Sequence, residues 1–97
     1  MPIEEKSYII YAYLNKGKEN AVTLMELKNR TGYSRRVITS CMQFLRKEGI
    51  PICSCNSKPG GYFIAKNEEE VIQYLKRLRI IADGLLDTMS YLVDVKF

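Results

Sequence analysis

The chain has no histidine, and that absence removes the commonest acid–base group. A Ser–His or Cys–His nucleophile cannot be assembled without it. Cysteine is sparse and odd in number, at three residues. The N-terminus MPIEEKSYII lacks the charged and apolar regions of a signal peptide, so the thiols are expected to be reduced and the location cytoplasmic. Cys53 and Cys55 are separated by one residue, which is not zinc-finger spacing. With Cys41 as a third thiol and no histidine, the set is incomplete for zinc. No apolar run approaches the roughly 20 residues of a membrane-spanning helix. A glycine-rich phosphate loop is missing too, because Lys58-Pro59-Gly60-Gly61 lacks the strand–loop–helix context. Asp83 and Asp87 stand one helical turn apart, and a solvated face explains them better than an acid–base pair or a metal site. These absences point away from an enzyme, a cofactor, a metal and a membrane partner.

What is present is an ordinary globular composition, 46% apolar and 27% charged over 97 residues, enough for one domain with a small core. The net charge of +4 is modest, but it is unevenly spread. Between residues 28 and 58, Lys28, Arg30, Arg35, Arg36, Arg46, Lys47 and Lys58 are opposed by Glu48 alone, a net +6. Residues 68 to 97 carry four basic and six acidic side chains, a net −2. A basic excess confined to one stretch is the footprint expected for a phosphate backbone.

That stretch, residues 23 to 48, reads as helix, tight turn, helix. Thr23 with Glu26 forms a capping box that starts the first helix, in which Leu24 and Leu27 make the apolar side while Lys28 and Arg30 face water. Gly32 ends it, since glycine takes the left-handed conformation without steric penalty. Ser34 caps the second helix. Its buried stripe is expected to be Val37, Ile38, Cys41, Phe44 and Leu45. The opposite side presents Arg35, Arg36, Thr39, Ser40, Gln43 and Arg46, all donors to phosphates or base edges. Two helices about a glycine turn suit a helix-turn-helix, although helical hairpins with solvated basic faces are common.

Upstream, residues 4 to 15 read as a helix with Glu4 and Glu5 at its positive end. Tyr8, Ile9, Tyr11, Ala12 and Leu14 offer more apolar surface than one stripe needs. Tyr8, Tyr11 and Tyr13 are read as packed residues with surface hydroxyls rather than base-stacking ones. A solvated loop follows, then a very short strand at Ala21 and Val22. Downstream, Gly49 and Pro51 stop the second helix. Ile50, Ile52 and the two cysteines form a strand, Asn56 to Gly61 a turn, and Tyr62 to Ala65 the returning strand.

A hairpin directly behind a helix-turn-helix has the order of a winged helix, and the run from Thr23 to Gly61 resembles bacterial regulators related to the DNA-binding domain of the biotin repressor. The run EGIPICSCNSKPGGYFIAKNEEEVIQYLKRLR resembles small winged-helix proteins of phages and mobile elements of Gram-positive bacteria. The matching residues are Pro51, Ile52, Ser54, Gly61, Tyr62, Phe63, Ile64, Ala65 and Glu68 to Glu70. The resemblance covers about two-thirds of the chain and implies a fold more strongly than a function, because such domains serve repressors, replication proteins and protein-binding inhibitors.

The last helix is capped by Asn67 and complemented by Glu68, Glu69 and Glu70. It is expected to run to about Val93. Val71, Leu75, Leu78, Ala82, Leu85, Met89 and Leu92 recur at alternating spacings of four and three, a heptad seam. Ile72, Ile81, Leu86 and Val93 widen it. So long an apolar face predicts a homodimer, with Gly84 as a point of close approach.

The expected architecture is therefore mainly α with a small β-hairpin: a winged helix-turn-helix over residues 1–66 and a dimerisation helix over residues 67–97, in one compact domain. The expected partners are double-stranded DNA and a second copy of the chain. Lys28, Arg30, Ser34, Arg35, Arg36, Thr39, Ser40, Gln43, Asn56, Ser57 and Lys58 are the candidate DNA contacts, for a phage or mobile-element transcriptional regulator. The alternatives are a module that binds a host protein, or a replication-initiation accessory.

Overall fold

The computed structural model describes residues 2–56 and 60–93. It is mainly helical, at 69%, with one small antiparallel hairpin. In chain order the elements are α1 (Ile3–Tyr13), a 3-10 turn (Lys18–Asn20), α2 (Leu24–Thr31), α3 (Arg35–Lys47), β1 (Ile52–Cys55), β2 (Gly61–Ile64) and α4 (Glu68–Val93).

Helix α3 is the centre of the core. Ile38, Cys41, Met42 and Leu45 are all buried on it, against Ile10 from α1, Leu14 just after it, Leu27 from α2, and Ile52 and Ile64 from the hairpin. Val37 and Phe44 are only partly covered. Met42 was not in the expected stripe. It is buried because α3 is enclosed by α1, α2 and the hairpin together, which widens its apolar arc beyond the single face that spacing describes. The ring of Tyr8 meets Phe44 edge-on at 6.1 Å and fastens α1 to α3.

The helix ends follow local chemistry. The Thr23 hydroxyl accepts the Glu26 amide at 3.1 Å, and the Ser34 hydroxyl accepts the Val37 amide at 3.3 Å. Gly32 closes α2 in the left-handed region at φ 74°. The Asn67 side chain accepts the Glu70 amide at 3.0 Å, and α4 is helical up to Val93, the last of the described residues. Helix α1 is shifted by one or two residues from the expected span, and Leu14 leaves it as buried, extended chain.

The hairpin pairs Ile52 with Ile64, Cys53 with Phe63, Ser54 with Tyr62 and Cys55 with Gly61. Its strands thus start at Ile52 and Gly61, rather than at Ile50 and Tyr62. The predicted strand at Ala21 and Val22 is reduced to one residue: Val22 and Tyr62 exchange two amide–carbonyl bonds of 2.8 Å each. Such close pairing requires Gly61, at φ 127°, because a Cβ there would collide with the Val22 carbonyl. All three cysteines are free thiols.

Among the described residues, the hydrogen bonds that tie helix α4 to the rest of the molecule come from Glu70, Tyr74 and Arg77, in its first half. Glu70 accepts the amides of Lys18 at 3.0 Å and Lys66 at 2.9 Å, so it does more than complement the helix dipole. No described residue of α4 is buried. Among the described residues, no helix is long and apolar enough to cross a membrane.

Candidate nucleic-acid interface

The exposed arc of α3 begins at its Ser34 cap. Residues four apart share a face of a helix, so Arg35, Thr39, Gln43 and Lys47 form one row, with Arg36 and Ser40 beside them. All six are exposed. The helix contains no carboxylate, and its N-terminal end adds the positive pole of the backbone dipole to Arg35 and Arg36. The sequence reading passed over Lys47, although its spacing of four from Gln43 already placed it in this row.

Two open clefts divide the row. Thr39, Ser40, Gln43 and Lys47 line a cleft of about 340 Å³ with Ile3 and Phe44. Arg35 lines another of about 490 Å³, with Thr23 and Leu24 at the start of α2, Ser54 and Asn56 at the hairpin, and Arg77 of α4. The second cleft thus joins two candidate residues, Arg35 and Asn56, that lie far apart in the chain. Ser57 and Lys58, the other two candidates at the hairpin turn, lie outside the described residues.

Arg77 is the residue that sequence reasoning had no means of finding. Its guanidinium donates to the Ser54 carbonyl at 2.7 Å and the Ser54 hydroxyl at 3.3 Å, and it stands 5.7 Å from the centre of the Tyr74 ring. Its Nε is buried without a hydrogen-bond partner. The hairpin is thereby tied to α4.

Arg46 requires a correction. Its spacing predicts a free donor on the open side of α3, but its guanidinium is spent inside the protein. Nε donates to the Ile52 carbonyl at 2.9 Å, Nη1 to the Gln43 side-chain oxygen at 2.8 Å and Nη2 to the Tyr74 hydroxyl at 3.1 Å. One side chain therefore joins α3, β1 and α4. Gln43 stays exposed, with its side-chain oxygen engaged by Arg46.

On α2, Lys28 and Arg30 are exposed. Arg30 pairs with Glu26 at 3.1 Å and lies 5.6 Å from the centre of the Tyr13 ring, which offsets part of its charge. Ser34 is exposed as well, and its oxygen serves as the α3 cap. Burial pushes the Cys53 thiol above its ordinary range despite the nearby Arg46 charge, which marks it as a packed residue. Asp83 pairs with Arg79 at 3.2 Å on the solvated side of α4. Among the described residues, no group of three His, Cys, Asp or Glu side chains is placed to hold a metal.

A third cleft, of about 460 Å³, lies between the end of α3, the start of β1 and the first half of α4. Ile50, Pro51, Ile52, Val71, Leu75 and Leu78 give it apolar walls, with Arg46 and Tyr74 at its edge. No family model, curated protein or solved structure matches the chain.

Proposed function

We propose that this protein is a dimeric winged helix-turn-helix protein that binds double-stranded DNA in a sequence-specific manner, and that it acts as a transcriptional regulator of phage or mobile-element type. The observation that carries this reading is the exposed arc of α3, which holds Arg35, Arg36, Thr39, Ser40, Gln43 and Lys47 and no carboxylate. A helix with this face fits the major groove, where arginine can bind guanine through two hydrogen bonds and glutamine can do the same with adenine. Asn56 and the hairpin turn would follow the neighbouring backbone. Lys28 and Arg30 would neutralise phosphates, Arg30 with the reduced charge left by Glu26.

The dimer enters the proposal through α4. Leu75, Leu85, Met89 and Leu92 on its seam are 56% to 65% exposed, an apolar surface that a lone chain leaves in water. Patches larger than a few hundred Å² are uncommon on monomers and mark interaction surfaces. Two-fold symmetry would give an inverted-repeat operator, with half-sites about 10 bp apart or a multiple of that.

Fluorescence anisotropy with duplex DNA at about 50 and 200 mM salt tests the reading, because counterion release must weaken phosphate binding by orders of magnitude over that range. Arg35→Ala with Arg36→Ala should abolish specific retention and leave the helical content unchanged. Absence of binding at the lower salt would reject the DNA reading in favour of a protein partner.

A further inference from the structure

The 490 Å³ cleft at the root of the hairpin is lined by two guanidinium groups, Arg35 from the start of α3 and Arg77 from α4. None of its described lining residues is acidic. Among the described residues neither arginine has a carboxylate partner, whereas Arg30 is paired with Glu26 and Arg79 with Asp83. Arg77 is half-buried, and its Nε has no hydrogen-bond partner at all. A second unpaired charge stands close by: Arg46 lies 5.6 Å from the centre of the same Tyr74 ring that Arg77 approaches at 5.7 Å, and its own hydrogen bonds all go to neutral groups. Positive charge drawn partly out of water with no counter-charge is costly, and an anion in the cleft would offset that cost.

The walls also supply donors. Arginine has five N–H groups. Arg77 uses one on each Nη for Ser54, and its Nε is buried, which leaves one N–H on each Nη. Arg35 is exposed with its guanidinium unspent. At Thr23 and Leu24 the cleft meets the start of α2, where the first amides of a helix lack partners within it and the dipole is positive.

From this arrangement we infer that the cleft is a phosphate site, in which one phosphodiester group of the DNA backbone sits between Arg35 and Arg77. The inference rests on the DNA-binding reading of the proposed function and adds a residue, Arg77, and the group it binds. A phosphate meets both requirements of the cleft, since it brings the missing negative charge and offers oxygens that match the planar fork of arginine. Helix α4 thereby contributes a DNA contact of its own. Because the same guanidinium holds Ser54 of β1, the contact fixes the hairpin against the backbone and sets the register of α3 without reading sequence.

Salt dependence reads such a contact directly, because each phosphate contact adds about 0.9 to the slope of log K against log salt. In fluorescence anisotropy with mixed-sequence duplex DNA between about 50 and 200 mM salt, Arg77→Met should flatten the slope by about 0.9 and weaken binding alike on every sequence. Arg77→Lys keeps the charge and should keep the slope. Ser54→Ala removes a hairpin hydrogen bond but no charge, and should keep it too. Weaker binding by Arg77→Met with an unchanged slope would mean that Arg77 acts only by holding the hairpin, which overturns the phosphate site and leaves the α3 reading standing. In the unaltered protein, the Arg77 side-chain cross-peak in a nitrogen–proton spectrum should shift when the duplex is added. A cross-peak that stays in place while the duplex is bound would overturn the site without recourse to a variant. Absence of any duplex binding by the unaltered protein would remove the DNA reading itself, and this contact with it.

Discussion

Helices α3 and α4 carry the same kind of pattern and meet opposite fates. Over its 13 residues α3 buries four apolar side chains. Over its 26 described residues α4 buries none. Both repeat apolar residues at three- and four-residue spacing, so periodicity states which side of a helix should leave water and nothing about what will cover it. In α3 the cover is supplied by the same chain: α1, α2 and the hairpin converge on it. In α4 only the first turns find such cover, at Tyr74 and Arg77, and the remaining seam is left for something else.

The largest test of this contrast is a pair of truncations. Ile38→Ala removes a fully buried side chain from α3 and should cost about 2–5 kcal/mol of folding stability by urea denaturation. Ile80→Ala removes one that is 72% exposed and off the α4 seam, and should stay within about 0.5 kcal/mol. Equal losses would mean that α4 is covered within its own chain. Next in size is the hairpin that closes the α3 core. Gly61→Ala imposes a left-handed conformation and a clash with the Val22 carbonyl, and should cost about 1–3 kcal/mol. A neutral result would show that the Val22–Tyr62 pairing is dispensable.

Arg46 is the joint between the two regions. Arg46→Met keeps most of the apolar stem and deletes three hydrogen bonds, two of them to the Ile52 carbonyl and the Tyr74 hydroxyl. The expected loss is about 1–3 kcal/mol, with faster amide exchange at the start of α4 than in α3. Equal acceleration in both helices would place the joint elsewhere.

The smallest effect concerns the exposed pair Glu19–Lys66, at 2.9 Å. The Lys66 hydrogen bond holds the Glu19 carboxyl below its ordinary range, and Glu19 raises Lys66 in return. The Glu19 contribution is therefore present above its unfolded pKa and fades as the pH falls through the acid range below about 4. The Lys66 contribution is complete below its unfolded pKa and fades only as the pH rises past about 10. Lys66→Gln should slightly flatten the acid limb of a melting-temperature profile and leave neutral pH nearly unchanged.

Short-range chemistry was legible in the residues. Thr23, Ser34 and Asn67 cap the helices they were expected to cap, and Gly32 stops α2, because each effect acts within three or four residues. The hairpin was legible to within two residues. Among the candidate contacts, Arg35, Arg36, Thr39 and Ser40 were found exposed on α3 as their spacing required. Gln43 was found exposed but bonded, since its partner Arg46 is itself directed inward by Ile52 and Tyr74.

The sequence by itself determined where α2, α3 and α4 begin, where α2 stops, which faces are apolar, and which stretch of chain is basic. Those properties follow from hydrogen bonds and side-chain spacings a few residues long. Tertiary structure alone decided that Met42 is core, that Arg46 and Arg77 hold backbone rather than stand free, that Gly61 must be glycine, and that the α4 seam is left open. Each of these depends on a group more than five residues away, and no local pattern specifies which distant carbonyl, ring or strand will arrive there.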